Sequence, residues 1–103
     1  MFSVLYSFKI KPSKKEEFLK SWEELTQLII KHEGGLGSRI HRLNEEEYIA
    51  YAQWPNRDRW GKSGGNLSES ADEIRKQMRE TCQEIKTIYE LDVIKDLLSQ
   101  EIK

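Results

Sequence analysis

Residues 2–10 alternate without a break: Phe2, Val4, Tyr6, Phe8 and Ile10 fall on one side and Ser3, Leu5, Ser7 and Lys9 on the other. This period of two commits the start of the chain to a β-strand. Pro12 ends it, and Ser13-Lys-Lys-Glu16 has the spacing of a capping box, which predicts a helix start there. Phe18, Trp22, Leu25 and Ile29 then recur at helical spacing, one apolar face of a helix reaching about His32. Gly34-Gly35 is placed to close it, because glycine takes the left-handed conformation of a helix C-cap at little cost.

Leu36–Leu43 and Glu47–Trp54 read as two further strands joined around Asn44, Glu45 and Glu46, a hairpin. Pro55 and the glycines at 61, 64 and 65 break up the next stretch, predicting a helical turn at about Asn56–Trp60 and then a loop that could hinge a flap. A second long helix is expected from near Ser68, with Ala71, Ile74, Met78, Cys82 and Ile85 on one face. A last strand is expected from Lys86 or Thr87 to about Ile94. The order is β-α-β-β-α-β, a ferredoxin-like α+β fold: four antiparallel strands with two helices on one face. With 103 residues the chain is read as one domain, 1–103.

That plan leaves one sheet face bare, yet the first and third strands carry apolar residues on both sides: Leu5 on the first, Ile49 and Tyr51 on the third. A half-solvated antiparallel strand reads polar on its outer face. Composition sharpens the point, because only 37% of the chain is hydrophobic while 10% is aromatic, too little for a thick core and too aromatic for disorder. A second copy of the same sheet is the simplest cover, so a homodimer is expected.

A two-residue turn at Glu45-Glu46, or a longer loop of the same parity, makes hairpin partners sum to 91. Gly37 then faces Trp54, Arg39 faces Ala52, His41 faces Ala50 and Leu43 faces Tyr48, pairing large residues with small ones. Arg39 and His41 become a polar pair beside Tyr48 and Trp54, with His41 able to serve as acid or base near neutrality. An interface or edge role bonded to carboxylates such as Glu90 and Asp92 is the competing reading of both.

Other classes are disfavoured. Seventeen Lys and Arg against eighteen Asp and Glu leave a net charge of -1, which offers no basic face for nucleic acid or an anionic membrane. The third strand, Glu47-Tyr-Ile-Ala-Tyr-Ala-Gln-Trp54, also lacks the basic-aromatic motif of an RNA-binding module built on the same plan. Neither a signal peptide nor a membrane span is recognised, and the lone Cys82 allows no internal disulfide, so a cytoplasmic location is expected. Two histidines, His32 and His41, without clustered carboxylates give no metal-ligand spacing. Cys82 reads as a small core residue, and the mixed-sign runs Lys14–Glu17 and Arg75–Glu80 read as solvated helix faces.

Three segments together resemble the antibiotic biosynthesis monooxygenase-like family of the dimeric α+β barrel superfamily. They are Phe8-Lys-Ile-Lys-Pro12 leading into Ser13–Phe18, Gly34-Gly-Leu-Gly-Ser-Arg-Ile-His-Arg42, and Tyr48-Ile-Ala-Tyr-Ala-Gln-Trp-Pro55 followed by Asn56–Trp60. The resemblance covers the first sixty residues well and the remainder in element order only. It implies a homodimer whose sheets face each other as a barrel, with a pocket in each subunit between sheet and helices. It also implies oxidation of phenol- or quinone-type aromatics by molecular oxygen with no metal, flavin or haem, the protein deprotonating the substrate and holding its anion.

Carried onto this chain, Tyr6, Tyr51, Trp54 and Trp60 are the candidate pocket residues, and Arg39 and His41 the candidates to hold the anion. The chain departs from many relatives in having Lys62-Ser63-Gly64-Gly65 where they place a histidine. It also lacks the first-strand Asn and later helical His of the haem-degrading branch, so haem is not expected. A non-catalytic small-molecule-binding or regulatory dimer of the same fold is the alternative.

Overall fold

In a computed structural model of the chain, which describes residues 1–65, 67 and 69–98, the elements run β1 (Phe2–Ile10), α1 (Lys15–Glu33), β2 (Gly37–Arg42), β3 (Glu47–Trp54), α2 (Arg57–Gly61), α3 (Glu69–Glu80) and β4 (Cys82–Asp92). The strands form one antiparallel sheet in the order β2-β3-β1-β4. The expected ferredoxin-like plan is therefore present, with α2 as an additional short helix. Helices α1 and α3 cover one face, where Phe8, Ile10, Phe18, Leu25, Tyr48, Ala50, Met78 and Cys82 form the main core. A smaller cluster of Phe2, Val4 and Trp54 continues it under α2. The even-numbered row of β1 is thus the helix-facing row, and the apolar stripe of α1 packs onto it.

The junction after β1 differs from the capping box. Lys11-Pro12-Ser13-Lys14 closes as a turn in which the Lys14 amide donates to the Lys11 carbonyl at 3.1 Å, with Ser13 at φ 68°. Proline second and a positive φ third is the type II pattern. Ser13 is spent on the turn, and Lys14 becomes an N-cap with no side-chain cap bond. At the other end Gly34 closes α1 in the left-handed conformation, φ 77°, as its position predicts.

The hairpin register is shifted by one from the expected pairing. Partners sum to 90: Gly37 faces Gln53, Arg39 faces Tyr51, Ile40 faces Ala50 and His41 faces Ile49. The cause lies in the loop. A two-residue type I′ turn needs positive φ at both Glu45 and Glu46, and among the described non-glycine residues only Ser13 has one. Instead the Asn44 Oδ1 accepts the amides of Glu46 and Glu47, each at 2.9 Å, while the Leu43 amide donates to the Glu47 carbonyl. A three-residue loop built on an Asn side chain results. Asn44→Ala is expected to cost about 1 kcal/mol in urea unfolding, the net worth of such exposed bonds; no change would mean that the loop holds its shape by backbone bonds alone.

The second long helix also ends earlier than its stripe suggests. Ser68 lies outside the described residues, and Cys82 and Ile85 belong to β4 rather than to the helix. The Thr81 hydroxyl and amide both donate to the Met78 carbonyl, closing the last turn, and the Lys11 amide donates to the Thr81 carbonyl. From there β4 pairs along the whole of β1, Ile10 with Cys82 through Phe2 with Asp92, so the strand is four or five residues longer at its start than the alternation implies and stops short of Ile94.

Candidate functional site

Between the helix-side sheet face and helices α1 and α3 lies a cavity of about 290 Å³. Its sheet floor is Tyr6, Phe8, Gly37, Ser38, Ala50, Ala52, Gln53, Trp54 and Ile85, and α1 supplies Trp22, Leu25, Thr26, Ile29 and Ile30. Arg75, Met78 and Arg79 come from α3, and Ser63 from the loop after α2. The two alanines of β3 make the room, because large residues at the corresponding places would meet the α1 stripe. Gly35 is needed beside them: a Cβ there would stand 3.0 Å from Ile29 Cγ2 and 3.6 Å from the Trp54 ring. The ring of Trp54 therefore lies against Gly35, and the expected cross-strand pairing of Trp54 with Gly37 is corrected, since Gly37 faces Gln53.

Of the three residues with polar side chains on the floor, Ser38 and Gln53 each donate to Tyr51, and Tyr6 is the third. The Trp60 indole N–H donates to its hydroxyl at 2.7 Å, leaving the Tyr6 proton with no acceptor among the described residues and free to serve a ligand. Trp60 itself stands behind Tyr6, against Phe2 at 5.6 Å, and does not line the cavity. Its helix is capped by Asn56, whose Oδ1 accepts the Arg59 amide at 2.8 Å. Arg57 lies over the Phe2 ring at 4.5 Å and pairs with Glu90 of β4, pinning α2 to the sheet. The loop after α2 is tied as well, for the Gly64 amide donates to the buried Glu33 carboxylate at the end of α1. Ser63 is thereby held over the cavity, where the glycine-rich segment was expected to form a flap. The indole N–H of Trp54, fully buried, meets no acceptor among the described residues.

Burial pushes the Tyr6 hydroxyl above the ordinary tyrosine value of 10.0, with the Trp60 bond lowering it in part and Glu90 raising it further. The hydroxyl is a neutral donor at physiological pH. Burial likewise raises the Cys82 thiol above 9.0, against smaller lowering effects of Thr81 and Lys11. In both cases the folded value exceeds the unfolded one, so their contribution to stability is whole below about pH 9 and is lost as the pH climbs towards the folded values. Urea midpoints followed from about pH 8 upwards should fall, and Cys82→Ala should remove the earlier part of that fall. An unchanged profile would contradict the thiol's burial.

The candidate residues fall on two faces. Tyr6 and Trp54 line the cavity and Trp60 backs it. Arg39, His41 and Tyr51 lie on the opposite, helix-free face, because the register of 90 places Arg39 and His41 beside Tyr51 and Ile49. Both are exposed there, in a shallow groove with Leu5, Val93 and residues 95–98. His41 Nδ1 lies 3.1 Å from the Ile49 carbonyl, and the Tyr51 hydroxyl accepts from Ser3 and Gln53. The expectation that the pair stands beside Tyr48 and Trp54 is corrected accordingly. Arg75, half-buried, and Arg79, exposed as its mixed-charge run predicts, both line the cavity, a role that the charge pattern did not assign. Their spacing with Met78 on α3 was the signal that could have found them, masked by the mixed charges around them. No cluster of three or more potential metal ligands occurs among the described residues, and no helix is long and apolar enough to cross a membrane.

Comparison with known proteins matches this architecture. The cofactor-independent oxygenase SnoaB of Streptomyces nogalater superposes with a TM-score of 0.73 over 95% of this chain and 97% of its own, at 12% identity. A provisionally assigned antibiotic biosynthesis monooxygenase from Caulobacter crescentus gives 0.72 over 91% and 90%, at 22% identity. One from Nitrosomonas europaea gives 0.74 over 92% and 100%, at 13% identity. At these identities the likeness carries the fold alone. No curated protein matches the chain. The family model described as antibiotic biosynthesis monooxygenase matches residues 1–65, a span holding β1, α1, the hairpin and α2 with its Trp60, and the chain belongs to that family.

Proposed function

We propose that the protein is a cofactor-independent monooxygenase acting on a small phenol- or quinone-type aromatic held in the helix-side cavity. The observation that carries this reading is the Tyr6 hydroxyl: a neutral donor, backed by the Trp60 N–H, with its proton unused by the described residues at the floor of a largely apolar cavity. A donor so placed strengthens as negative charge develops on a substrate oxygen. Oxidation of a phenol by dioxygen to a quinone and water balances without an outside reductant, because the ring supplies the electrons once its anion forms. Trp54 and Trp22 offer the flat aromatic walls that such a ring stacks against. SnoaB, a cofactor-independent oxygenase of the same fold, supports the assignment.

Oxygen uptake and quinone absorbance with a panel of hydroxynaphthalenes test it. Uptake that depends on Tyr6 supports the oxygenase; tight binding with no uptake favours a binding or regulatory dimer. One observation speaks for that alternative: no His, Asp or Glu is among the described residues lining the cavity, so the protein offers no ordinary base there.

The working unit on this proposal is a homodimer joined through the helix-free face. Leu5, Ile49 and Tyr51 are only half-buried on it, while Tyr89 and Leu91 of β4 are 60% and 43% exposed. Arg39 and His41 would then belong to the subunit interface. Leu5→Glu places a charge in the middle of that face and is expected to shift the sedimentation profile from dimer to monomer; a wild-type monomer at micromolar concentration would refute the arrangement.

A further inference from the structure

The cavity has a charge bias that the chain as a whole does not. Of eighteen acidic and seventeen basic side chains, the ones among the described lining residues are Arg75 and Arg79, both cations. They stand one helical turn apart on α3 with Met78 between them, so their stems share the face turned to the sheet. Arg75 is partly buried, its side chain 29% exposed, and reaches under the loop to within 3.7 Å of where a Cβ on Gly64 would lie. Its carboxylate neighbour, Asp72, is 3.6 Å away and 70% exposed, a long and well-solvated pairing that neutralises little on the cavity side. Arg79 has no ion pair among the described residues. Two guanidinium groups at the wall of a largely apolar cavity, Arg75 half-buried and Arg79 exposed at its rim, attract an anion and repel a cation, and their planar forks suit a carboxylate.

We propose that the ligand of this cavity is an aromatic carboxylate of one or two fused rings, its carboxylate against Arg75 and Arg79 and its ring on the apolar part of the floor. This rests on reading the cavity as the ligand site. The ring count comes from the volume, about 290 Å³, at the low end of the roughly 300–1,000 Å³ common for small-molecule sites. The charge supplies selectivity that the hydrocarbon walls lack, because an anion buried without a partner would be rejected. A neutral quinol gains only the walls and Tyr6.

The test compares 1-hydroxy-2-naphthoate with 1-naphthol, two probes of similar shape that differ by one carboxylate, in calorimetric or fluorescence titrations of the full chain. The naphthoate is expected to bind at least roughly tenfold tighter, the scale of one charge-assisted contact. The preference should shrink in Arg75→Met and Arg79→Met, stay largest in the wild type, and weaken as salt is raised. Equal affinities, a preference for 1-naphthol, or an undiminished preference in both variants would overturn the proposal while leaving the aromatic cavity intact. Binding of neither probe would overturn both readings. Should the variants fail to fold, the salt titration of the wild-type protein decides: a preference that ignores salt counts against the arginines.

Discussion

Phe18→Ala should cost about 3–5 kcal/mol, enough to remove most of the stability of a domain this size. Phe18 is fully buried, 0% exposed. Its ring sits 5.0 Å from Phe8 of β1 and 5.8 Å from Tyr48 of β3, tilted against both, so one side chain of α1 joins the two central strands. Removing it forfeits the transfer energy of the ring and leaves a void that β-strands on one side and a helix on the other cannot collapse to fill. Phe18→Leu, which keeps most of the volume, should cost much less, about 1–1.5 kcal/mol. Urea unfolding at one fixed protein concentration measures both, since dimerisation would make the midpoint concentration-dependent. A cost below about 1 kcal/mol for the alanine variant would show that the helix is anchored elsewhere.

Tyr6→Phe is expected to lower oxygenase turnover by about 10²–10³-fold, the usual loss when one donor to a developing oxyanion is removed. Two consequences separate this from a packing effect. The ring remains, so binding of an aromatic probe should change little while turnover falls. The Trp60 N–H loses its acceptor, at a stability cost of about 1–3 kcal/mol. Trp60→Phe gives the complementary result: the Tyr6 hydroxyl survives without its supporting donor, and turnover should fall less than in Tyr6→Phe. Equal turnover in Tyr6→Phe and the wild type would take the hydroxyl out of the chemistry.

Much of the site could be read from local pattern. The alternation of residues 2–10 placed Tyr6 on the same row as Phe8 and Val4, and that row is the one that faces the helices. The four-three-four spacing of α1 put Trp22, Leu25 and Ile29 on the face that roofs the cavity. Asn56 and the break at Pro55 placed the short helix that carries Trp60. The readings that shifted all depended on bonds between segments. A hairpin's parity is set by its loop, and the Asn44 carboxamide favoured three loop residues where the Glu-Glu pair suggested two. One residue of slip turned Arg39 and His41 to the other side of the sheet. Arg75 and Arg79 were hidden for a different reason, since a mixed-charge helix shows its solvated face and its cavity-facing cations in the same run of letters.

The order of elements, the helix-facing row of β1 and the family were all legible in the chain, because they depend on side-chain periodicity and on residues close together in sequence. Folding in three dimensions set where α3 yields to β4, which face of the sheet receives Arg39 and His41, and which charges meet the cavity. Each of those outcomes is settled by a partner distant in sequence: β1 draws Cys82–Ile85 into strand pairing over its full length, Ile49 and Tyr51 take the places opposite His41 and Arg39, and α1 and the sheet form the cavity that Arg75 and Arg79 border. Periodicity fixes how a segment alternates but not the absolute register in which two segments meet, and the chemistry of this site depends on that register.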